Sequence, residues 1–503
     1  MLKKIDEWLN SVMMYKLVLY GLMIVALAAV LFGFTGVIAY NGWSLLLSLV
    51  IALNLSYALN LLCARLWRAQ INAESAAITG LIVFLIMGPV TSALEAVYLA
   101  VTVLVAILSK YLLAYRHKHI FNPAAIAAVV IGSMTGYAAL WWLATWKLLP
   151  LVLPLSLLVV RKTRREALFV ATMLTGLFTA LLYTMMRGVS TVEALRQFFL
   201  AGPMIFFVGV MVTEPLCMPA RRKYQIVYGM IIGFLANWPF HFGVLYSSPE
   251  LALVLANIWS FAVGQKRRLY LLLKEKTLIA TNTYEFVFGV DHKLNWLAGQ
   301  YLEITLPHEG ADRRGVRRYF TISSAPSEGV VKLGVKVGEP ASSFKQKLLS
   351  LKIGDKITAG QIAGDFVLPT DKNWPLIFIA GGIGITPFCS MIRQLIDSGD
   401  EREIKLFYAG RSRADLAYQE LLTEACAKLK LKVFYVVNNL AAGETSDGQV
   451  IDESLIGRLA PDYLKSEVYI SGPSAMVSNF KQMLKKMGVT EKRIKTDYFP
   501  GFS

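Results

Sequence analysis

From Leu17 to about residue 264 the chain is a near-unbroken series of apolar runs, and no other feature limits its fold so tightly. Inside hydrocarbon every backbone N–H and C=O must be paired within the protein, so runs of this kind are confined to helices. The sequence predicts ten, at about 17–40, 43–62, 76–93, 95–114, 120–138, 148–160, 167–186, 198–213, 226–246 and 250–264. The first is too long for a signal-peptide core and reads as a membrane helix. The sixth and tenth fall below ordinary spanning length. Gly88-Pro89 and Asn122-Pro123 interrupt the third and fifth runs, as in broken or re-entrant helices that line a site.

Charge agrees with this topology. The chain carries 51 Lys/Arg against 34 Asp/Glu, a formal +17, which by itself would also suit a nucleic-acid binder. Residues 1–268, however, hold 21 basic against 8 acidic residues, and the remainder 30 against 26. With the N-terminus inside, one set of loops and the N-terminal segment carry 18 of the basic residues, among them Arg65/Arg68, Lys110/Arg116/Lys118, Arg161 to Arg165, Arg221 to Lys223 and Lys266 to Arg268. The other set carries Lys147, Arg187 and Arg196. That asymmetry is the positive-inside pattern. It predicts a multi-pass protein of the inner (plasma) membrane, in contact with lipid and not with nucleic acid, whose termini and everything after residue 268 are cytoplasmic. Cys63, Cys217, Cys389 and Cys426 lie far apart and form no C-x-x-C or ferredoxin-like run, so neither an iron–sulfur cluster, another metal site nor a disulfide framework is expected.

After residue 268 the period changes. TYEFVFGV, QYLEITLP, RRYFTISS and VVKLGVKV read as strands of a small antiparallel barrel over 269–370. Over 371–503 strands alternate with helices, which makes a parallel sheet whose site lies beyond the carboxyl ends of the strands. Pro375 to Phe388 is the sharpest stretch: a buried strand, a turn at Gly381, Gly382 and Gly384, and a helix opened by Thr386 as cap and Pro387 as first residue. Such a corner either cradles a pyrophosphate on backbone amides or is simply a turn that needs φ > 0.

The motifs around it resemble the ferredoxin-NADP reductase superfamily. Arg318-Tyr319-Phe320-Thr321, followed by Ile322-Ser323-Ser324, is similar to its R-x-[YF]-[ST] motif. Gly299-Gln300-Tyr301 resembles the preceding strand, Ser342-Ser343-Phe344 with Leu348 its second flavin-phosphate segment, and Gly381 to Pro387 its nicotinamide-dinucleotide loop. Ser471-Gly472-Pro473 with Met476 resembles its [CS]-G-P-x-x-M motif, and Tyr498-Phe499-Pro500-Gly501-Phe502 its aromatic tail. The resemblance implies FAD in the barrel, with Arg318 on its pyrophosphate, Phe320 against the flavin and Thr321 near N5. It further implies NADH or NADPH in the sheet domain, Ser471 beside the nicotinamide, and Phe499 as a ring cover that moves aside. Arg318 also belongs to a basic run with Arg313, Arg314 and Arg317. Arg411 and Arg413 either hold a 2′-phosphate or are loop charges.

The apolar half resembles the membrane flavin subunits of the sodium-pumping NADH:quinone reductase and Rnf complexes, on Glu74-Ser75-Ala76 to Gly88-Pro89, His119 to Ala124, Met211 to Pro215, and Glu250 with Leu255-Ala256-Asn257. That resemblance implies FMN or a second flavin among broken helices. The chain lacks the [ST]-G-A-T attachment motif, and the nearest candidate anchor is Thr145 in Trp141-Trp142-Leu143-Ala144-Thr145, which reads equally as a hydroxyl cap beside an interfacial Trp belt.

The expected architecture is therefore a polytopic α-helical membrane domain of about ten helices (1–268) fused to a cytoplasmic ferredoxin-reductase-like module, with an antiparallel β-barrel FAD domain (269–370) and an α/β NAD(P) domain (371–503). The expected activity is transfer of electrons from NAD(P)H through FAD into the membrane domain, toward a quinone, a second flavin or an outer acceptor. An ion- or flavin-translocating protein with a fused reductase is the alternative, kept open by Glu74, Glu95, Glu214 and Glu250, which equally satisfy backbone amides at helix ends. Paired haems are disfavoured: they need four axial histidines, and His117, His119 and His241 are the only ones before residue 268.

Overall fold

The structure is a computed structural model that describes residues 5–499 except 7, 10–11, 68–71, 116–117, 265–268, 292–293, 313 and 441–443. The chain forms two compact units, Met1–Arg267 and Arg268–Ser503.

In the first unit each of the ten apolar runs contains helix. The helices are α1 (Met14–Phe34), α2 (Gly42–Leu66), α3 (Ala73–Ile86), α4 (Ala93–Leu112), α5 (Pro123–Thr135), α6 (Leu149–Thr163) and α7 (Glu166–Met186). After them come α8 (Thr191–Ala201), α9 (Met204–Val212), α10 (Arg222–Asn237) and α11 (Pro249–Val263). Among the described residues α1, α2, α4 and α7 are long and apolar enough to cross a membrane; α8 and α9, bent by 52° at Gly202-Pro203, make a fifth span if counted as one. Helices α3, α5 and α11 are apolar but short. At 1.5 Å per residue a 14-residue helix covers about 21 Å, against a hydrocarbon core of about 30 Å.

The break after α3 is sealed from within. Helix α3 stops before Gly88-Pro89, and the carbonyl of Ile86 accepts from the amides of Leu140 and Trp141 at 2.8 and 2.9 Å. Met87 bridges Ala139, Tyr137 donates its hydroxyl proton to the Gly88 carbonyl, and the Val90 amide donates to Ser48 Oγ at 2.8 Å. The Trp141-Trp142 pair, read from sequence as interfacial, is instead part of this seal: the two are 7% and 5% exposed, and their indoles donate to Glu250 Oε2 (3.0 Å) and the Phe84 carbonyl (2.9 Å). A buried indole needs an acceptor, and the broken helices supply two. Glu95 completes a capping box with Ser92 at the start of α4, so at this acid the helix-end reading holds.

The second unit contains a six-stranded antiparallel barrel: β1 (Leu269–Ala280), β2 (Thr283–Val290), β3 (Tyr301–Thr305), β4 (Arg317–Thr321), β5 (Val331–Lys336) and β6 (Lys356–Ala363). The strand order is β4-β3-β6-β1-β2-β5, and α12 (Ser343–Leu349) precedes β6. Strands β1 and β6 escape sequence reading, because β1 runs out into exposed charges and β6 carries Gly360 and a register shift between Ala359 and Ile362. The parallel sheet comprises β7 (Leu376–Gly381), β8 (Ile404–Gly410), β9 (Leu431–Val437), β10 (Glu467–Pro473) and β11 (Ile494–Phe499), in the order β9-β8-β7-β10-β11. Its helices are α13 (Thr386–Asp397), α14 (Gln419–Lys428), α15 (Glu453–Leu459) and α16 (Ser474–Lys486). Alternation along β7 sends Leu376, Phe378 and Ala380 into one core and Ile377 and Ile379 into the other, so both faces are covered. The C-terminal segment, read only as an aromatic tail, is thus the fifth strand up to Phe499.

Candidate functional site

On β4 the pleat puts Arg318 and Phe320 on one face and Tyr319 and Thr321 on the other. Phe320 stacks on Phe344 of α12 with ring centroids 5.9 Å apart, and the Arg318 guanidinium lies 5.2 Å over the same ring. Tyr319 is 58% exposed, whereas Thr321 is buried. Arg318 is not a solvated charge. Its Nη2 donates to both Asp312 oxygens at 2.8 and 3.0 Å, and Nη1 to the carbonyls of Arg314, Gly315 and Arg317. Burial opposes ionisation of Asp312, but the Arg318 guanidinium and the Arg314 amide outweigh it and hold the carboxyl below its usual range.

The second flavin-phosphate segment lies against this guanidinium. Ser342 caps α12 by accepting from the Lys345 amide at 3.4 Å, and Ser343 Oγ accepts from the Asp312 amide at 2.9 Å. Burial, reinforced by Arg314 and Arg318, pulls the Lys345 ammonium down to about 8. Asp312 and Lys345, which sequence reading missed, complete a group of three cations, two serines and one acid. That donor set fits a diphosphate.

In the sheet, β7 ends at Gly381 and a 3-10 turn over Gly382–Ile385 leads into α13. Gly382 sits at φ +53 with open space where a Cβ would be, whereas a Cβ on Gly384 would lie 2.4 Å from the Ser471 carbonyl. Thr386 is the first helical residue and not the cap: its hydroxyl donates back to the Ile383 carbonyl at 3.1 Å, and Pro387 follows it in the first turn. Ser471, fully buried on β10, has a hydroxyl without a hydrogen-bond partner. A Cβ on Gly381 would meet Met476 Sδ at 2.3 Å, which places the Ser471-Gly472-Pro473 turn and Met476 against the glycine loop. An unsatisfied buried hydroxyl beside an open glycine turn at the carboxyl ends of the two central strands fits a nicotinamide dinucleotide.

The two half-sites meet through residues that carry no motif. Gly334 on β5 has no room for a side chain: a Cβ would lie 2.5 Å from the Tyr418 hydroxyl and 2.8 Å from Thr386 Cγ2. Tyr418, at φ +63, hydrogen-bonds Ser323 Oγ at 3.3 Å and meets the Glu285 carboxyl. Burial pushes both groups up, the tyrosine well above its ordinary value. Ser390 of α13 donates to the Ser324 carbonyl at 2.6 Å. The Thr321–Ser324 end of the flavin motif therefore abuts the glycine loop.

Other candidates stand apart. Arg411 is exposed; Arg413 stacks 4.0 Å over Tyr435 and donates to the Thr445 carbonyl. Phe499 ends β11 opposite Pro473, while its side chain and Pro500 to Phe502 lie outside the described residues, as do Arg68, Arg116, His117, Lys266 to Arg268 and Arg313. Thr145 accepts from the Lys147 amide at 3.4 Å and borders a pocket lined by Leu143, Leu149, Phe199 and Phe206.

In the first unit the motif residues converge. Asn122 caps α5, donates its backbone amide to Asn257 Oδ1 (2.9 Å) and donates through Nδ2 to Glu214 Oε2 (2.7 Å). His119 Nε2 lies 3.5 Å from Glu214 Oε1, and Asn257 Nδ2 donates to the Tyr228 hydroxyl and the Cys217 carbonyl.

Comparison with known proteins bears on the second unit. The family model "Oxidoreductase FAD-binding domain" matches residues 270–366 and "Oxidoreductase NAD-binding domain" residues 378–482. The chain is 26% identical over 214 residues to Flavohemoprotein A of Dictyostelium discoideum, covering 41% of this chain and 52% of that protein. With Flavohemoprotein of Candida albicans it shares 31% over 210 residues, 40% of this chain and 50% of the relative. With NADH-cytochrome b5 reductase 1 of Neosartorya fischeri it shares 29% over 262 residues, 48% and 84% respectively. The chain thus spans about half the length of these flavohemoproteins. The solved FAD/NAD-binding domain of a nitric oxide dioxygenase from Vibrio cholerae is 19% identical over 46% of this chain and 98% of that one, with a TM-score of 0.42. The second unit is an oxidoreductase module of FAD-binding and NAD-binding domains. It belongs to the ferredoxin-NADP reductase superfamily.

Proposed function

We propose that this protein is a membrane-bound NAD(P)H-dependent flavin oxidoreductase that passes electrons from the cytoplasm into its apolar unit. The observation that carries the reading is the junction at Gly334, Tyr418 and Ser323, where the flavin motif abuts the dinucleotide loop. FAD, when bound, supplies the exchange between a two-electron donor and one-electron acceptors. The chain's own part is positioning. Arg318, Ser342, Ser343 and Lys345 bind the diphosphate, Phe320 and Thr321 orient the flavin, and Gly382, Gly384, Thr386 and Pro387 cradle the dinucleotide. Ser471, Gly472, Pro473 and Met476 orient the nicotinamide. Hydride transfer requires no acid or base from the protein. Cytochrome b5 reductases take NADH by name; in this chain the choice between NADH and NADPH falls to Arg411 and Arg413.

The apolar unit is read as ten helices in the inner membrane with both termini cytoplasmic, supported by the charge asymmetry and by a helix in every run. A hydrocarbon core of about 30 Å is too thick for one electron step, so the acceptor is a quinone met within the unit or a second flavin, FMN included, held near Asn122 and Glu214. The order of motifs shared with the membrane flavin subunits favours the flavin. Residues 270–503 expressed alone are expected to be soluble, yellow and able to reduce ferricyanide with NADH or NADPH, and the full chain to bind more flavin per polypeptide. A colourless fragment refutes the reductase assignment. Equal flavin stoichiometry leaves the quinone. Fluorescence on a denaturing gel that vanishes in Thr145→Ala places covalent flavin at Thr145.

A further inference from the structure

The short strand Lys118–His119 before α5 and the turn after α9 bring three donors of different chemistry to one point. One usable atom each from His119, Glu214 and Cys217 lies within 4.8 Å of the others. The separations are informative: His119 Nε2 to Glu214 Oε1 is 3.5 Å and Cys217 Sγ to Glu214 Oε2 is 3.7 Å. The second is an ordinary S–H···O hydrogen bond from Cys217, whereas the first is too long to close one, and His119 Nε2 has no hydrogen-bond partner. Ligands of a tetrahedral ion with metal–ligand distances of about 2.0–2.3 Å stand about 3.3–3.6 Å apart. The donors are also held from behind, as metal ligands are. Asn122 Nδ2 fixes the Glu214 carboxylate at 2.7 Å, and Asn257 binds both the Asn122 amide and the Cys217 carbonyl.

We propose that His119, Glu214 and Cys217 form a three-ligand site for a divalent cation of the zinc class, with its fourth position open. Mixed imidazole, carboxylate and thiolate donors suit a borderline ion and not magnesium or calcium. Binding displaces the Cys217 thiol proton to solvent and leaves a thiolate on the metal. Lys110 and Lys118 interact electrostatically with Cys217; they favour the thiolate and oppose the cation, although the Lys110 ammonium is already held by Ser75 O and Oγ at 3.0 Å. The ion joins two loops that lie nearly one hundred residues apart in sequence.

The test uses tag-free full-length protein carrying Cys426→Ser, which removes the exposed thiol, stripped with chelator and titrated with Co²⁺. One equivalent should survive gel filtration and show tetrahedral d–d absorption at wavelengths longer than the flavin bands. Cys217→Ser should shift or abolish that spectrum, and His119→Ala and Glu214→Gln should each lower retained metal at least tenfold. If a variant fails to elute as the native protein, the unmutated site still decides through its own stoichiometry and spectrum. Retained Co²⁺ no higher than a buffer blank, octahedral absorption, or a spectrum unchanged in Cys217→Ser overturns the site.

Discussion

The two units place their polar chemistry at the ends of regular elements by different routes. In the reductase unit it stands where parallel strands stop, at Gly381–Thr386 after β7 and Ser471–Met476 after β10, in runs short enough to be read as words. In the apolar unit it stands mostly where helices are interrupted, at Asn122 capping α5 and Glu214 after α9, and joins Asn257 from within α11. A strand end frees its backbone for a ligand, whereas a helix broken in lipid must first find partners for its own amides and carbonyls. The same polar residue therefore serves structure before function in one unit and function more directly in the other.

The largest expected effect tests whether packing is equally tight in both. Gly384→Ala drives a Cβ against the Ser471 carbonyl, and Gly209→Ala drives one to 2.3 Å from Ser156 Cβ. Each should cost on the order of 1–3 kcal/mol, read as a lower melting temperature of its own unit. Gly384→Ala should in addition raise the KM for NAD(P)H. A silent Gly209→Ala would show that the apolar unit yields where the sheet does not.

Next comes Arg318→Ala, which removes charge-assisted contacts worth about 1.5–3 kcal/mol and should weaken FAD binding roughly 10- to 150-fold. Normal occupancy at limiting FAD would refute the assignment. Asp312→Asn is the control, since it frees the guanidinium without removing it.

A smaller effect follows from Lys345, whose ammonium is depressed to about 8 in the free protein. Below that pH it is charged and meets the diphosphate directly. Above it, binding must take up a proton, so FAD affinity should fall with rising pH by up to about tenfold per unit, and the slope should disappear in Lys345→Arg. An unchanged slope in that variant would move the titration to another group. The smallest effect is expected at Arg413, stacked on Tyr435: Arg413→Ala should cost under about 1 kcal/mol of stability and, if the side chain holds a 2′-phosphate, should raise the KM for NADPH while sparing NADH.

Much of the reductase was legible because its signals are local. The apolar run of β7, the glycine turn and the R-x-F-T strand are each short and local, and the family models fall on them. The additional barrel strands β1 and β6 were not, since exposed charges and a register shift blur their period. Around the site, Asp312, Lys345, Gly334, Glu285 and Tyr418 carry no motif and became visible only when loops closed on Arg318 and on the glycine turn.

By itself the sequence determined which runs are helical, the regularly patterned strands and which of their residues share a face, because backbone pairing and the periods of 3.6 and 2 act over a few residues. Only the tertiary structure decided that α3, α5 and α11 stop short of spanning length, that Trp141 and Trp142 turn inward to Glu250 and Phe84, and that His119, Glu214 and Cys217 share a corner. Those outcomes depend on which remote segment satisfies a broken helix end. Many segments carry the hydrogen-bonding groups to do so, and packing selects one.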